Sequence, residues 1–240
     1  MKIKLYEPFE KWYHGGCIYL YSDPHFQKDT EMEQFFKWPT AEERLARINK
    51  CVTKNDTFVC LGDVGDRLDL IAQIKCDYKV LITGNHDKGN SVYQKKEKLI
   101  DWMWPNEAKG EFAVHKNWYI GELKGGKVKV CCKEGYFDEV YDGPLFISDK
   151  ILLSHERIDL PFCINIHGHE HCAESWFDLV GIQTVIGMVQ TASFNIASDV
   201  VDFKPIRLDE IISKYPLKKV HSIHRITIDN ATNDKLNGDE

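Results

Sequence analysis

The chain lacks the features of membrane proteins, secreted proteins and proteins that coat nucleic acids. No apolar run approaches the ~20 residues that a membrane-spanning helix needs. The first residues, Met-Lys-Ile-Lys-Leu-Tyr-Glu-Pro, lack the apolar core of a signal peptide, so we expect a cytoplasmic protein. The net charge of −6 argues against a broad non-specific nucleic-acid surface, although it leaves room for a local basic groove.

Internal repeats, low-complexity tracts and obvious linkers are also missing. We therefore expect residues 1–240 to form one domain, with the last ~12 polar residues as a frayed tail. None of the eight cysteines belongs to a Cys-x-x-Cys pair. Their even number would allow disulfides, but without a signal peptide we favour buried free thiols in a reducing cytosol.

Short apolar runs, typical of buried strands, repeatedly end in residues with metal-binding or acid–base side chains. These ends read Ser22-Asp23-Pro24-His25, Gly62-Asp63, Gly84-Asn85-His86-Asp87, Ser154-His155 and His167-Gly168-His169-Glu170-His171. Open α/β sheets build their sites at the carboxyl ends of strands, so we predict that these ends meet. We expect Gly84 to turn the chain sharply because it lacks a Cβ, and Asp87 to support that turn.

The other patterns predict helices and further strands. Thr40 and Glu43 form a capping box before apolar residues at helical spacing, which predicts a helix over 41–52. The remaining predicted helices cover 68–74, 93–104 and 206–212, and the remaining predicted strands cover 2–6 at a sheet edge, 192–198 and 220–228. Short β-like runs from 111 to 147 predict a second, more antiparallel sheet, and residues 173–192 show no clean period.

The polar residues at the strand ends form a plausible metal-ligand set. The candidate ligands are Asp23, His25, Asp63, Asn85, His155, His169 and His171. Oxygen and nitrogen ligands without thiolates suit divalent manganese, iron or zinc. Seven side chains are too many for one tetrahedral site, but a carboxylate that bridges two ions about 3.5–4 Å apart would use them all.

The motifs D-x-H, G-D, G-N-H-D, S-H and G-H-x-H, in this order, resemble the calcineurin-like metallophosphoesterase superfamily. The resemblance extends from Ser22 to about Ile212, and within the superfamily the chain is similar to a group of small bacterial and phage phosphoesterases. It implies an α/β fold, a four-layer αββα sandwich of two mixed sheets flanked by helices. It implies two divalent ions, from manganese, iron, zinc or nickel, with manganese favoured.

The activity implied by this resemblance is hydrolysis of a phosphate mono- or diester by a water or hydroxide that bridges the two ions. The expected substrate is small and nucleotide-like, with no membrane partner, and the oligomeric state is open. A nuclease or protein phosphatase with a macromolecular substrate is an alternative. A non-catalytic scaffold that keeps the fold is a third hypothesis, although no ligand is missing.

The family pattern implies a role for each residue. Asp23, His25 and His171 would hold the first ion, Asn85, His155 and His169 the second, and Asp63 would bridge them. His86 would act as general acid on the leaving oxygen. Gly62–Arg67 also matches the G-D-x-x-D-R form of phosphoprotein phosphatases, which implies that Asp66 orients His86 and Arg67 binds phosphate. Leu68 and Asp87 depart from that branch, which has Gly and Glu at these positions.

Several residues have competing structural interpretations. Asp66 could be a helix N-cap, and Arg67 could be a solvated helix residue. His167 is expected to pack in the core, and the aromatic cluster Phe35, Phe36 and Trp38 is expected to pack rather than stack on bases. Glu156 and Arg157 could contact substrate or lie in an exposed loop.

Overall fold

The structure is a computed structural model that describes residues 2–27, 31–87, 93–94, 96–103, 118–124, 127–185 and 187–220. The strands are β1 (Ile18–Tyr21), β2 (Thr57–Cys60), β3 (Tyr78–Ile82), β4 (Lys96–Met103), β5 (Trp118–Lys124), β6 (Lys127–Glu134), β7 (Glu139–Tyr141), β8 (Leu145–Ser148), β9 (Ile151–Leu153), β10 (Ile164–His167), β11 (Phe177–Thr184), β12 (Gly187–Asn195) and β13 (Ile206–Arg207). The helices are α1 (Glu7–Glu10), α2 (Glu31–Phe35), α3 (Ala41–Cys51), α4 (Leu68–Ala72) and α5 (Leu208–Lys214).

Two five-stranded mixed sheets form the centre of the fold. The first has the order β13-β1-β2-β3-β7, in which β1, β2, β3 and β7 run parallel and β13 is antiparallel. The second has the order β11-β12-β10-β9-β8, in which β9, β10 and β12 run parallel between antiparallel neighbours. This arrangement, with flanking helices, confirms the predicted α/β fold of two mixed sheets.

The alternation of side chains along the strands separates two hydrophobic clusters. Ile18 and Leu20 of β1 pack in the cluster that joins both sheets, where they meet Ile166 and Phe194 of the second sheet. Residues whose side chains point to the opposite face of the strand, such as Tyr21, pack in the second cluster, which α3 and α4 cover. Buried strands with apolar residues on both faces are typical of parallel sheets between other layers.

Helix α3 matches its prediction, since it spans Ala41–Cys51 and begins with the predicted capping box. The Thr40 hydroxyl accepts the backbone N–H of Glu43 at 3.2 Å, and the Glu43 carboxylate accepts the backbone N–H of Thr40 at 2.8 Å. These two bonds satisfy backbone donors that the first helical turn leaves unpaired.

The predicted helix over 93–104 is wrong, because Lys96–Met103 forms strand β4 and pairs antiparallel with β6. Leu99, Trp102 and Met103 fit helical spacing, but the backbone groups of this segment find their partners in a neighbouring strand. Long-range pairing therefore overrides the local period. The predicted edge strand over 2–6 is also wrong: Ile3 and Leu5 are buried as the alternation requires, but the segment joins no strand ladder.

The β-like runs of 111–147 are divided among three sheets rather than forming one. Strands β5 and β6 form a separate three-stranded sheet with β4, whereas β7 joins the first sheet and β8 the second. Residues 173–192, which showed no period, form most of the β11–β12 hairpin, and β12 ends at Asn195 instead of 198. The predicted run over 112–117, most of the predicted strand over 220–228 and the predicted frayed tail lie outside the described residues.

In the part of the chain that the structure describes, every helix is too short or too polar to cross a membrane.

Candidate metal centre

The carboxyl ends of parallel strands from both sheets meet at one place. In the first sheet, the registers Tyr21↔Cys60 and Cys60↔Leu81 align the ends of β1, β2 and β3, which Asp23, Asp63 and Asn85 follow. In the second sheet, the register Leu153↔Ile166 aligns the ends of β9 and β10, which lead to the three site histidines. The fold thus brings together the seven side chains that the sequence marks as ligands.

The first group of candidate ligands is Asp23, His25 and His171, whose ligand atoms all lie within 4.8 Å of one another. His25 Nε2 lies 3.3 Å from His171 Nε2 and 3.9 Å from Asp23 Oδ1. His171 Nε2 lies 3.7 Å from the same carboxylate oxygen. One carboxylate and two imidazoles this close together could hold a divalent cation.

The second group is Asp63, His155 and His169, whose ligand atoms also lie within 4.8 Å of one another. His155 Nε2 is 3.1 Å from His169 Nδ1 and 3.5 Å from Asp63 Oδ2. Asn85 Oδ1 completes this group, 2.9 Å from His155 Nε2. The second group therefore contains one carboxylate, one amide and two imidazoles.

Asp63 lies between the two groups. Its Oδ2 is 3.8 Å from His25 Nε2 on one side and 3.5 Å from His155 Nε2 on the other. Its Oδ1 accepts the backbone N–H of His86 at 3.0 Å, which orients the carboxylate. This is the position that a bridging carboxylate would occupy in a two-ion site.

Hydrogen bonds at the far side of two imidazoles identify their ligand atoms. His155 Nδ1 lies 2.8 Å from the carbonyl oxygen of Leu61, which can only accept, so Nδ1 carries the proton and Nε2 presents a lone pair. His171 Nδ1 donates in the same way to Asp199 Oδ1 at 2.7 Å. Both imidazoles are thereby held with Nε2 toward the centre.

The electrostatics of the first group fit a cation. Asp23 Oδ1 is buried and accepts no hydrogen bond from the described residues, which is costly for a carboxylate. Burial raises the pKa of Asp23 despite the nearby His155 imidazole, and burial also lowers the pKa of His25 to about 4 although Asp63 opposes the shift. A neutral imidazole is the form that binds metals, and a bound cation would compensate the orphaned oxygen.

Backbone strain concentrates at this centre. Four of the eight non-glycine residues with positive φ in the described chain are candidate ligands, with φ of 55° at Asp23, 40° at His25, 53° at Asp63 and 67° at His169. Each such conformation costs on the order of 1–3 kcal/mol and persists only where the surroundings enforce it. These four residues lie in the loops after β1, β2 and β10, where the candidate ligands meet.

Two glycines allow the strand ends to approach closely. A Cβ on Gly84 would lie 2.3 Å from Asp63 Oδ1, and a Cβ on Gly168 would lie 1.9 Å from Ser22 Oγ and 2.3 Å from Asp23 Oδ2. Gly84 begins the predicted turn, since its carbonyl oxygen accepts the backbone N–H of Asp87 at 3.3 Å, but its φ lies outside the left-handed region. Glycine is instead suited to this position because the bridging carboxylate packs against its Cα.

Asp199 is a functional candidate that we did not predict. Its Oδ1 accepts from His171 Nδ1, and its Oδ2 accepts the backbone N–H of Cys172 at 2.8 Å. Burial raises the pKa of the Asp199 carboxyl, but its hydrogen bonds to His171 and to the Cys172 backbone, together with the charge of His171, leave the pKa lowered. Asp199 follows the predicted strand over 192–198, so the rule that found the other site residues would have found it too.

Two of the three predicted catalytic side chains are exposed, and the third is held in ion pairs. His86 is exposed, and its ring centroid is 6.3 Å from that of His25. Asp66 is exposed and precedes Arg67, which rather than Asp66 is the N-cap residue of α4. The Arg67 guanidinium binds the Asp69 carboxylate at 2.9 Å and Glu42 Oε1 at 3.0 Å.

Burial and contacts also decide between the competing interpretations of several residues. His167 is buried, as expected, with its Nδ1 2.9 Å from the carbonyl oxygen of Gly168. Of the aromatic cluster, only Trp38 packs, and its ring lies 5.2 Å from that of His171. Phe35 and Phe36 are 75% and 56% exposed, so the expectation that they pack is wrong. Glu156 is exposed, and Arg157 pairs with Asp159 and Asp178.

Comparison with known proteins adds a family to this geometry. No curated protein matches the chain. Among solved structures, a protein of unknown function from Aquifex aeolicus is similar at 20% identity and a TM-score of 0.49, covering 82% of this chain and 98% of its own. A Vps29 single mutant from Entamoeba histolytica is similar at 13% identity and a TM-score of 0.29, covering 77% and 76%.

A family model matches more than half of the chain. The family is described as calcineurin-like phosphoesterase, and the match covers residues 18–187, which include every candidate ligand and His86. The geometry and this match agree, and the chain belongs to the calcineurin-like phosphoesterase family.

Proposed function

We propose that the protein is a metal-dependent hydrolase of phosphate esters that uses two divalent ions. The observation that carries the proposal is the pair of ligand groups that meet at Asp63, with His86 at the rim. When bound, two such ions stabilise negative charge on phosphoryl oxygens and lower the pKa of water. The two ligand groups of this chain would hold the ions, and His86 would supply a proton.

His86 is the proposed general acid. Its backbone N–H is fixed by Asp63 Oδ1, while its side chain is exposed where a leaving group would depart. Histidine is the side chain that most often transfers a proton to a departing group in enzyme reactions. Asp66 is the proposed partner that orients this ring, by analogy with the phosphoprotein phosphatases that the motif resembles.

Arg67 is the proposed phosphate ligand, and this role requires an exchange of partners. Its guanidinium now pairs with Asp69 and Glu42. A phosphate would have to replace at least one of these carboxylates, which a bidentate guanidinium can do because its donors lie in a planar fork. The competing role, tethering α4 to α3, needs no exchange.

The proposed substrate is small and nucleotide-like, and manganese is the favoured ion. The net charge of −6 opposes long polyanions and so favours a small substrate over a nuclease substrate. A protein phosphatase is less favoured because Leu68 and Asp87 depart from that motif. A scaffold is disfavoured because all seven ligand side chains are present and meet.

The test is turnover of para-nitrophenyl phosphate and bis-para-nitrophenyl phosphate by protein loaded with manganese, iron, zinc or nickel. We expect hydrolysis of at least one ester and a metal content of two ions per chain. His86→Ala should lose turnover and keep both ions, whereas Asn85→Ala should lose an ion as well. Loaded protein that cleaves neither ester nor any of a panel of nucleotides would support the scaffold instead.

A further inference from the structure

Arg44 of helix α3 is a fully buried charged residue close to the metal centre. Its exposed fraction is 0%, although the remainder of the buried face of α3 is apolar. A buried guanidinium is costly unless several acceptors surround it. Neither the sequence motifs nor the proposed catalytic roles account for this residue.

The Arg44 guanidinium joins three separate segments. Its Nη2 donates to the carbonyl oxygen of His25 at 3.0 Å and lies 3.1 Å from Glu33 Oε1 of α2. Its Nη1 donates to the carbonyl oxygen of Pro39, directly after Trp38. The planar fork of arginine suits this task because it directs several donors at fixed angles, whereas a lysine ammonium would serve fewer acceptors.

The hydrogen bond from Arg44 reaches His25, a candidate ligand whose backbone is strained. His25 has a φ of 40°, a conformation that a histidine keeps only when neighbours enforce it. The backbone N–H of His25 donates to the carbonyl oxygen of Asp63 at 3.0 Å, which fixes the residue on its N-terminal side. Arg44 holds the other side through the carbonyl group.

The Trp38 ring lies between Arg44 and His171, the other imidazole of the first group. The guanidinium lies 6.0 Å from the Trp38 ring, which is in turn 5.2 Å from the His171 ring and 6.4 Å from the His25 ring. The described contacts of Arg44 and Trp38 include no ligand of the second group. Arg44 therefore contacts one ligand of the first group, His25, and lies near the other imidazole of that group, His171, by way of Trp38.

We propose that Arg44 is a positioning residue that sets the affinity of the first ion site by holding the His25 carbonyl and the Trp38 ring. The inference rests on the proposed two-ion function and adds a determinant specific to one of the two ions. Residues that orient metal ligands typically change metal affinity by about 10–100-fold when mutated. Loss of Arg44 should therefore weaken one ion and spare the other.

The experiment is manganese binding to wild type, Arg44→Lys and Arg44→Met, followed by elemental analysis after dialysis and by electron paramagnetic resonance. Wild type should bind two ions that couple magnetically. Arg44→Lys should hold one ion at low manganese, with a mononuclear spectrum, and should recover the coupled signal at a manganese concentration at least about tenfold higher. Lys50→Met, which removes an exposed cation from the same helix, should behave as wild type.

The outcomes separate this inference from the proposed function. Wild type with two coupled ions and Arg44→Lys with two equally tight ions would overturn the inference and leave the function standing. Wild type that binds none of manganese, iron, zinc and nickel would overturn both. Arg44→Lys keeps the charge and the aliphatic stem, so it decides the question even if Arg44→Met is recovered unfolded, with circular dichroism as the check on folding.

Discussion

Asp87 holds Asp63 in place: the Asp87 carboxylate accepts the backbone N–H of Asp63 at 2.9 Å, although the two residues are 24 positions apart, with helix α4 and strand β3 between them. The same carboxylate accepts the backbone N–H groups of Val64 at 2.9 Å and Gly84 at 2.8 Å. Asp87 thus locks the loop after β2 to the loop after β3, and with it the bridging position of the metal centre.

Replacing Asp87 by alanine should destabilise the protein, because three backbone donors would lose a charged acceptor. We expect the free energy of unfolding in urea to fall by about 3 kcal/mol, and metal binding to weaken. Asp77→Ala removes an exposed carboxylate whose nearest cation is Lys54 at 3.6 Å, and it should change stability by less than about 0.5 kcal/mol. Equal effects of the two variants would contradict the proposed locking role.

Replacing Gly168 by alanine should damage the first ion site. A Cβ there would collide with Ser22 Oγ and Asp23 Oδ2, so Asp23 must move from its position. Elemental analysis should show loss of one manganese ion per chain. Gly181→Ala is the matched control, because its Cβ would meet only the flexible Met188 side chain at 3.3 Å, and it should retain both ions.

Replacing Asp199 by asparagine should weaken the first ion about 10–100-fold, since His171 would lose the anionic acceptor that fixes its tautomer. Titration with manganese, followed by calorimetry, measures this change for each ion. Asp178→Asn, at an exposed position on β11 that contacts Arg157, should leave both affinities unchanged. An Asp199→Asn protein with wild-type affinity for both ions would show that the hydrogen bond is incidental.

Replacing Arg67 by methionine distinguishes its two roles. If Arg67 binds the phosphoryl group, KM should rise by about tenfold or more while thermal stability stays near that of wild type. Arg47→Met, which removes a guanidinium that pairs with Asp202, should leave KM unchanged. A lower melting temperature with an unchanged KM would instead assign Arg67 to the tether between α3 and α4.

Glu139 should make stability depend on acid pH. Its carboxylate accepts from Trp12 Nε1 at 3.1 Å, Lys11 Nζ at 3.0 Å and the Tyr78 and Tyr141 hydroxyls. Burial raises the pKa of Glu139, but these hydrogen bonds outweigh burial and leave the pKa lowered. A lowered folded-state pKa contributes stability above the unfolded value of about 4.3, and this stability is lost as pH falls through the folded value.

The matching measurement is the free energy of unfolding of wild type and Glu139→Gln between pH 7 and pH 3. The variant should be less stable at pH 7, and the difference between the two proteins should shrink as the pH falls below the unfolded pKa. A difference that stays constant across this range would mean that the ionised form of Glu139 is not what stabilises the sheet edge.

Local sequence signals predicted the part of the site that depends on short-range order. A run such as Val80–Ile82 followed by Gly84-Asn85-His86-Asp87 predicts a buried strand and a polar loop, and the structure has both. The capping box at Thr40 and Glu43 likewise predicts a helix start from neighbours three residues apart. Periodicity did not distinguish helix from strand over 96–103, because the deciding partner, β6, is about thirty residues away.

By itself, the sequence determined which residue types stand at the strand ends, in what order, and therefore the candidate ligand set and the family. Only the tertiary structure decided which contacts hold those residues. Asp87 accepts the backbone N–H of Asp63, Asp199 accepts from His171 Nδ1, and Arg44 donates to the carbonyl oxygen of His25. These contacts join residues that lie 19 to 28 positions apart in the sequence. No local period encodes such pairs, because they arise when parallel strands align their ends and bury polar groups that must then find partners.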